Sequence, residues 1–107
     1  MEQRETVIKE NRQVGDDLRE PKMFLVYVLN DDMTTFEFVV SVMKSVFHKT
    51  EEDAWGIADR THNQGKSLVG RYSFDIAQTR VNKAVALARA QGFPLNFKII
   101  PEDRHEK

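Results

Sequence analysis

Between Pro21 and Asn30 the chain runs Met23-Phe24-Leu25-Val26-Tyr27-Val28-Leu29, seven residues without a charge, a glycine or a proline. β-Branched and aromatic residues in so continuous a run form a strand that must be well buried. The run is far too short to cross a bilayer, so whatever covers it must come from the rest of the chain.

The run stops at Asn30-Asp31-Asp32, and Thr34-Thr35-Phe36-Glu37 then fits a capping box opening at Thr34. Phe36, Val39, Val40, Met43, Val46 and Phe47 follow at helical spacing down one face. Thr50-Glu51-Glu52-Asp53 opens a second helix, with acidic residues answering its N-terminus and Ala54, Ile57, Ala58 and Thr61 on one stripe. Gly65 is its natural stop. Lys66 to Tyr72 reads as a second strand, and Ser73-Phe74-Asp75 starts a third helix carrying Ala77, Val81, Ala84, Val85 and Ala88 up to Gly92. Leu95 to Ile100 alternates like a half-buried edge strand before Pro101. The order β-α-α-β-α-β predicts an α+β fold, a small three-stranded antiparallel sheet covered on one face by three helices.

The first 21 residues mix charges of both signs with few apolar side chains, a composition that cannot offset its ordering entropy. They are expected to form a disordered N-terminal arm (1–21), the alternative being a short solvated helix near Thr6 to Val14. The core domain is placed at 22–101 and a charged tail at 102–107.

With 107 residues, 16 basic and 17 acidic, the chain is sized for one domain and has no global field for nucleic acid or an anionic membrane. It lacks cysteine, which removes disulfides, thiolate metal sites and cysteine nucleophiles and fits a reducing, cytoplasmic setting. No signal-peptide or membrane-spanning pattern is present. Walker, GxGxxG, GxSxG and HExxH motifs are also missing, and His48, His62 and His105 lie on separate elements without a paired ligand. Neither a cofactor nor a metal is expected.

Two segments remain. Asn30-Asp31-Asp32 sets two carboxylates and an amide at a strand-to-helix junction, which taken alone is ordinary turn chemistry. His62, in Thr61-His62-Asn63-Gln64-Gly65-Lys66, sits in the last turn of the second helix, where a lone histidine usually packs or answers the helix C-terminus.

Together the two segments resemble the ClpS family of adaptors, which feed substrates of the bacterial N-end rule to the AAA+ unfoldase of the Clp protease. The residues that carry the resemblance are Val28-Leu29-Asn30-Asp31-Asp32-Met33-Thr34-Thr35-Phe36-Glu37-Phe38-Val39, His62-Asn63-Gln64-Gly65-Lys66, Gly70, Ala77-Gln78-Thr79-Arg80-Val81 and Pro94-Leu95. They span the chain from about Lys22 to Ile100 in family order. Fragments such as NDD are common, whereas this combination is specific.

The resemblance implies a pocket for the first residue of an N-degron peptide or protein. Its free α-amine would be held by Asn30, by Asp31 or Asp32, and by His62. Thr34, Phe36, Val39, Ala58, Thr61 and Leu95 would line the hydrophobic pocket. Docking on the N-terminal domain of a ClpA- or ClpC-type unfoldase would involve Asp75 and Arg80, with the protein a monomer that binds neither nucleic acid nor membrane. The chemistry is coherent: an ammonium has three donors and no acceptor, so its site must present acceptors. Each charge-assisted hydrogen bond contributes roughly 1.5–3 kcal/mol, which makes a blocked N-terminus a poor ligand.

The sequence departs from the family pattern at the pocket. Met33 replaces an aromatic residue, Thr35 a proline, Phe36 the gating methionine, Ala58 a second methionine and Thr61 a valine. A bulkier, stiffer gate over a widened or more polar floor is the expectation. The alternative function is an interaction domain that shares the fold of the ribosomal stalk C-terminal domain. An enzyme pairing His62 with Asp31 or Asp32 as acid and base is disfavoured, since no nucleophile, metal or phosphate cradle is near.

Overall fold

The computed structural model describes residues 22–104; the arm expected at 1–21 and the last three residues of the tail lie outside them. The elements are β1 (Phe24–Leu29), α1 (Phe36–Ser45), α2 (Glu51–Gln64), β2 (Lys66–Tyr72), α3 (Phe74–Ala90), β3 (Asn96–Pro101) and a 3-10 turn (Glu102–Arg104). The sheet has the order β2-β1-β3, so the uninterrupted apolar run becomes its middle strand. Both pairings are antiparallel: Val26 faces Gly70 and Ile99, and Val28 faces Ser67 and Phe97.

Val26 and Val28 are fully buried under the helices. The core they nucleate takes Val39, Val42, Met43, Val46 and Phe47 from α1 and its last turn, Ala54, Ile57 and Ala58 from α2, and Ala77, Val81, Ala84 and Ala88 from α3. Alanines on the inner stripe of α3 let that helix lie close to the sheet. On the opposite face, Leu68 is exposed and the Lys66 ammonium stands 5.3 Å from the Tyr27 ring.

Caps fix the helix ends. Thr35, not Thr34, caps α1, its hydroxyl accepting from the Phe38 N–H at 3.1 Å. The capping box expected at Thr34 does not form because the Thr34 hydroxyl is committed to Asp31. Thr50 caps α2 as expected, accepting from the Asp53 N–H, and Gly65 ends it in the left-handed conformation at φ 91°. α3 ends at Ala90, two residues before Gly92, with Gln91 at the cap.

A bulge in β2 was not legible in the sequence. Between Val26 and Tyr27 the register skips Val69, leaving it an extra residue next to Gly70. A Cβ on Gly70 would come within 2.6 Å of the Tyr72 hydroxyl, so the Tyr72 side chain lies back across the glycine. The Arg80 guanidinium stands 5.2 Å from the same ring. Burial raises the pKa of the Tyr72 phenol against the pull of Arg80.

The chain stays in contact with the sheet just past β3. Pro101 belongs to β3, the Glu102 N–H donates to the Met23 carbonyl at 3.0 Å, and the Glu102 carboxylate accepts from Arg71 at 2.6 Å.

Candidate functional site

The end of β1 and the end of α2 are tied together. The Asn30 N–H donates to the Gly65 carbonyl at 2.9 Å, and the Gly65 N–H donates to the Thr61 carbonyl at 3.0 Å. The loop carrying Asn30, Asp31 and Asp32 is thereby set beside the last turn of α2, which carries Thr61 and His62. Two segments about 30 residues apart in the chain converge because β1 and β2 are paired and Gly65 immediately precedes β2.

The two aspartates have different lives. Asp31 Oδ1 accepts from the backbone N–H groups of Met33 at 2.8 Å and Thr34 at 2.7 Å, while Oδ2 accepts from the Thr34 hydroxyl at 2.7 Å. Partial burial pushes its pKa up, but the Thr34 and Met33 hydrogen bonds and the nearby Arg89 charge outweigh that and hold it below the ordinary aspartate value. Asp31 is therefore an immobilised anion with about one of its four lone-pair sites uncommitted. Asp32 is exposed and forms no hydrogen bond among the described residues. Asn30 and His62 are also exposed.

The expected pocket residues Val39, Ala58, Thr61 and Leu95 are core residues, each at most 6% exposed and closed off from bulk water. Thr61 is less polar than its identity suggests, because its hydroxyl donates to the Ile57 carbonyl at 2.7 Å. With its proton spent there, the polar floor expected from threonine is reduced to a methyl and an already bonded oxygen. Phe36 is half-buried and stands edge-on to Trp55, ring centroids 4.8 Å apart. The expected gate is thus steadied by a neighbour on α2, in a contact worth about 0.5–1.5 kcal/mol.

Asp75 and Arg80 stand apart from this cluster, on the first two turns of α3. Asp75 is exposed; Arg80 is half-buried against Tyr72.

Two contributors went unread in the sequence. Arg89 Nη1 donates to the carbonyls of Phe93 and Leu95, both at 2.9 Å, pinning the loop that inserts Leu95. The same cation helps keep Asp31 ionised. Its place in the last turn of α3, where cations answer a helix C-terminus, was the available signal. Trp55 is the other, lining with Phe36, Glu37, Val40 and Glu51 a cavity of about 270 Å³ between α1 and α2. That cavity shares only Phe36 with the expected pocket. Among the described residues, no group of His, Asp and Glu is placed to hold a metal, and no helix is long and apolar enough to cross a membrane.

Three helices on one face of a three-stranded antiparallel sheet, with the loop after β1 held against the end of α2, define a small α+β domain. Within that class the chain belongs to the ClpS family, the adaptor proteins of the ATP-dependent Clp protease, whose family model matches residues 19–98. It is 47% identical over 75 residues to the Clp protease adapter ClpS of Nautilia profundicola, covering 70% of this chain and 77% of the relative. Identity to the ClpS of Acetivibrio thermocellus is 41% over 97 residues, covering 91% and 96% of the two chains. Among solved structures, Agrobacterium tumefaciens ClpS2 bound to L-phenylalaninamide superposes with a TM-score of 0.74 at 38% identity, covering 78% of this chain and all of that one.

Proposed function

We propose that the protein binds the first residue of peptides and proteins that begin with a free α-amine and a large hydrophobic side chain, and delivers them to the AAA+ unfoldase of the Clp protease. The observation that supports this reading is the Asn30–Gly65 bond, which holds the loop carrying Asn30, Asp31 and Asp32 beside the last turn of α2, where Thr61 and His62 lie. L-Phenylalaninamide, the ligand of Agrobacterium tumefaciens ClpS2, has the matching chemistry: an ammonium and a benzyl side chain on one carbon.

The roles divide as follows. Asp31, already ordered by three donors, offers the amine a fixed negative charge with little further loss of side-chain entropy. Asn30 supplies an amide oxygen, and His62 a ring nitrogen. Asp32, without a partner among the described residues, adds field rather than a fixed contact. Thr34 and Phe36 form the mouth, and the four core residues the floor. Because that floor is closed to water, admitting a large side chain requires the half-buried Phe36 ring to shift. No step of chemistry is required of the protein.

For the partner, we place docking of a ClpA- or ClpC-type N-terminal domain, in the cytoplasm, at the start of α3. Exposed Asp75 mainly steers association, so Asp75→Lys should slow docking in a salt-dependent way and leave peptide binding intact. The decisive test of the whole reading is a peptide series differing only in residue one, each with a free and an acetylated N-terminus. Tight binding of free Phe, Tyr, Trp and Leu peptides with loss on acetylation is expected; equal binding of the two forms would overturn it.

A further inference from the structure

The helices cover one face of the sheet and leave the other open. Val26 and Val28 belong to the helix-facing core, so Leu25, Tyr27 and Leu29, which alternate with them along β1, point to the open face. There Tyr27 lies between Leu68 on β2 and Lys98 on β3, and Leu25 is paired with Ile100. Leu68 is 45% exposed. Lys66 and Lys98 edge this apolar strip; both are exposed, and neither has an ion-pair partner among the described residues. None of the three strands contains a carboxylate. A flat apolar strip edged by unpaired cations suits a segment that carries apolar side chains and carboxylates together.

The chain itself supplies such a segment just ahead of β1. Residues 14–20 read Val14-Gly15-Asp16-Asp17-Leu18-Arg19-Glu20, two apolar side chains with three carboxylates against one cation. β1 is six residues long, about 20 Å. Leu18 and Val14 lie six and ten residues ahead of Phe24, within about 20 and 35 Å of it at full extension, so both can reach across the face. Pro21, between this segment and β1, is a residue type that favours a change of chain direction. A second copy of the chain is a poorer occupant, since pairing two such faces sets lysines against lysines.

We propose that the open face of the sheet is a docking site for residues 14–20 of the same chain. Leu18 and Val14 cover the strip at Tyr27 and Leu68, and Asp16, Asp17 and Glu20 answer Lys66 and Lys98. Covalent attachment raises the effective concentration of the segment to the millimolar range, which populates even a weak contact. Screening weakens the charge pairs, so the docked and released forms exchange with ionic strength. This proposal is independent of the peptide reading above.

The test uses the full chain with Gln13→Cys, the sole cysteine of the molecule, carrying a nitroxide spin label. The methyl signals of Leu68 and Ile100 should lose at least about half their intensity relative to the reduced label. Exposed Leu87 on α3 should keep its intensity, and the lost signal should recover in high salt. Asp16→Lys with Asp17→Lys, or Leu18→Ser, should each abolish most of the loss. Lys66→Glu with Lys98→Glu should do the same, at a melting temperature that shows the domain folded. No loss at Leu68 and Ile100, an equal loss at Leu87, or a loss that survives the arm substitutions would overturn the proposal. So would a loss seen only between a spin-labelled and an isotope-labelled copy, which would make a second chain the occupant.

Discussion

The backbone N–H of Asn30 donates to the carbonyl of Gly65, 2.9 Å away, and this bond extends the β1–β2 ladder one step past the end of the sheet. The residue that ends α2 is thus the residue that anchors the loop across from it. The tie between the Asn30 loop and the end of α2 runs through Gly65, which holds a positive φ of 91°.

Gly65→Ala tests that tie. A Cβ there meets nothing within 4 Å, so the penalty is torsional alone, about 1 kcal/mol for an L-residue in the left-handed region. Thermal melting should fall by several degrees, roughly 4–8 °C for a domain of this size. Affinity for an amine-terminated peptide should drop as well, since the strain is relieved by moving the Asn30 acceptor.

Asp31 gives a pH signature. Its pKa is lower in the folded protein than in the unfolded chain, so its stabilisation is fully present above the ordinary aspartate value and is lost as pH falls through the folded one. Asp31→Asn should therefore lower the melting temperature at pH 7, and the gap to the unmodified protein should close below about pH 4. A gap constant from pH 7 to 3 would show that the carboxylate charge contributes nothing.

Arg89→Met removes both donors from the Phe93 and Leu95 carbonyls while keeping the aliphatic stem. A stability loss of about 1–2 kcal/mol in chemical denaturation is expected. Peptide binding should weaken because Leu95 is no longer pinned and Asp31 loses a neighbouring cation. Arg89→Lys can hold only part of this geometry and should fall between the two.

Thr61→Val replaces the buried hydroxyl with a methyl. Because the hydroxyl proton goes to the Ile57 carbonyl rather than to the floor, the preference among Phe, Leu and Trp peptides should stay within about twofold, with stability changed by less than about 1.5 kcal/mol. A large gain for Leu would show that the Thr61 oxygen faces the ligand.

The sequence carried the fold through strong local signals. The uncharged run at residues 23–29 is found as the middle strand, and Thr50 and Gly65 bracket α2 as their chemistry dictates. Thr34 and Thr35 were not separable, since either fits a cap and only the tertiary position of Asp31 decides between them. The β2 bulge was hidden because Val69 and Gly70 continue an ordinary strand pattern, and the reason for the glycine is a side chain two residues on. Arg89 was hidden more deeply. Its acceptors are carbonyls four and six residues ahead, in a loop whose path no periodicity specifies.

The middle position of β1 has a mechanical consequence. The chain ahead of Phe24 enters the sheet through the strand that is zipped to a neighbour on both sides, over six register pairs with each. A pull from that end along the strand loads both ladders in shear, many bonds at once, whereas a pull from the other end of the chain peels β3 from an edge. Rupture force in single-molecule pulling should accordingly be higher from the N-terminal side. A motor that grips the segment before β1 would be tugging on the most force-resistant strand of the sheet, so the grip can be firm without the adaptor being dragged apart.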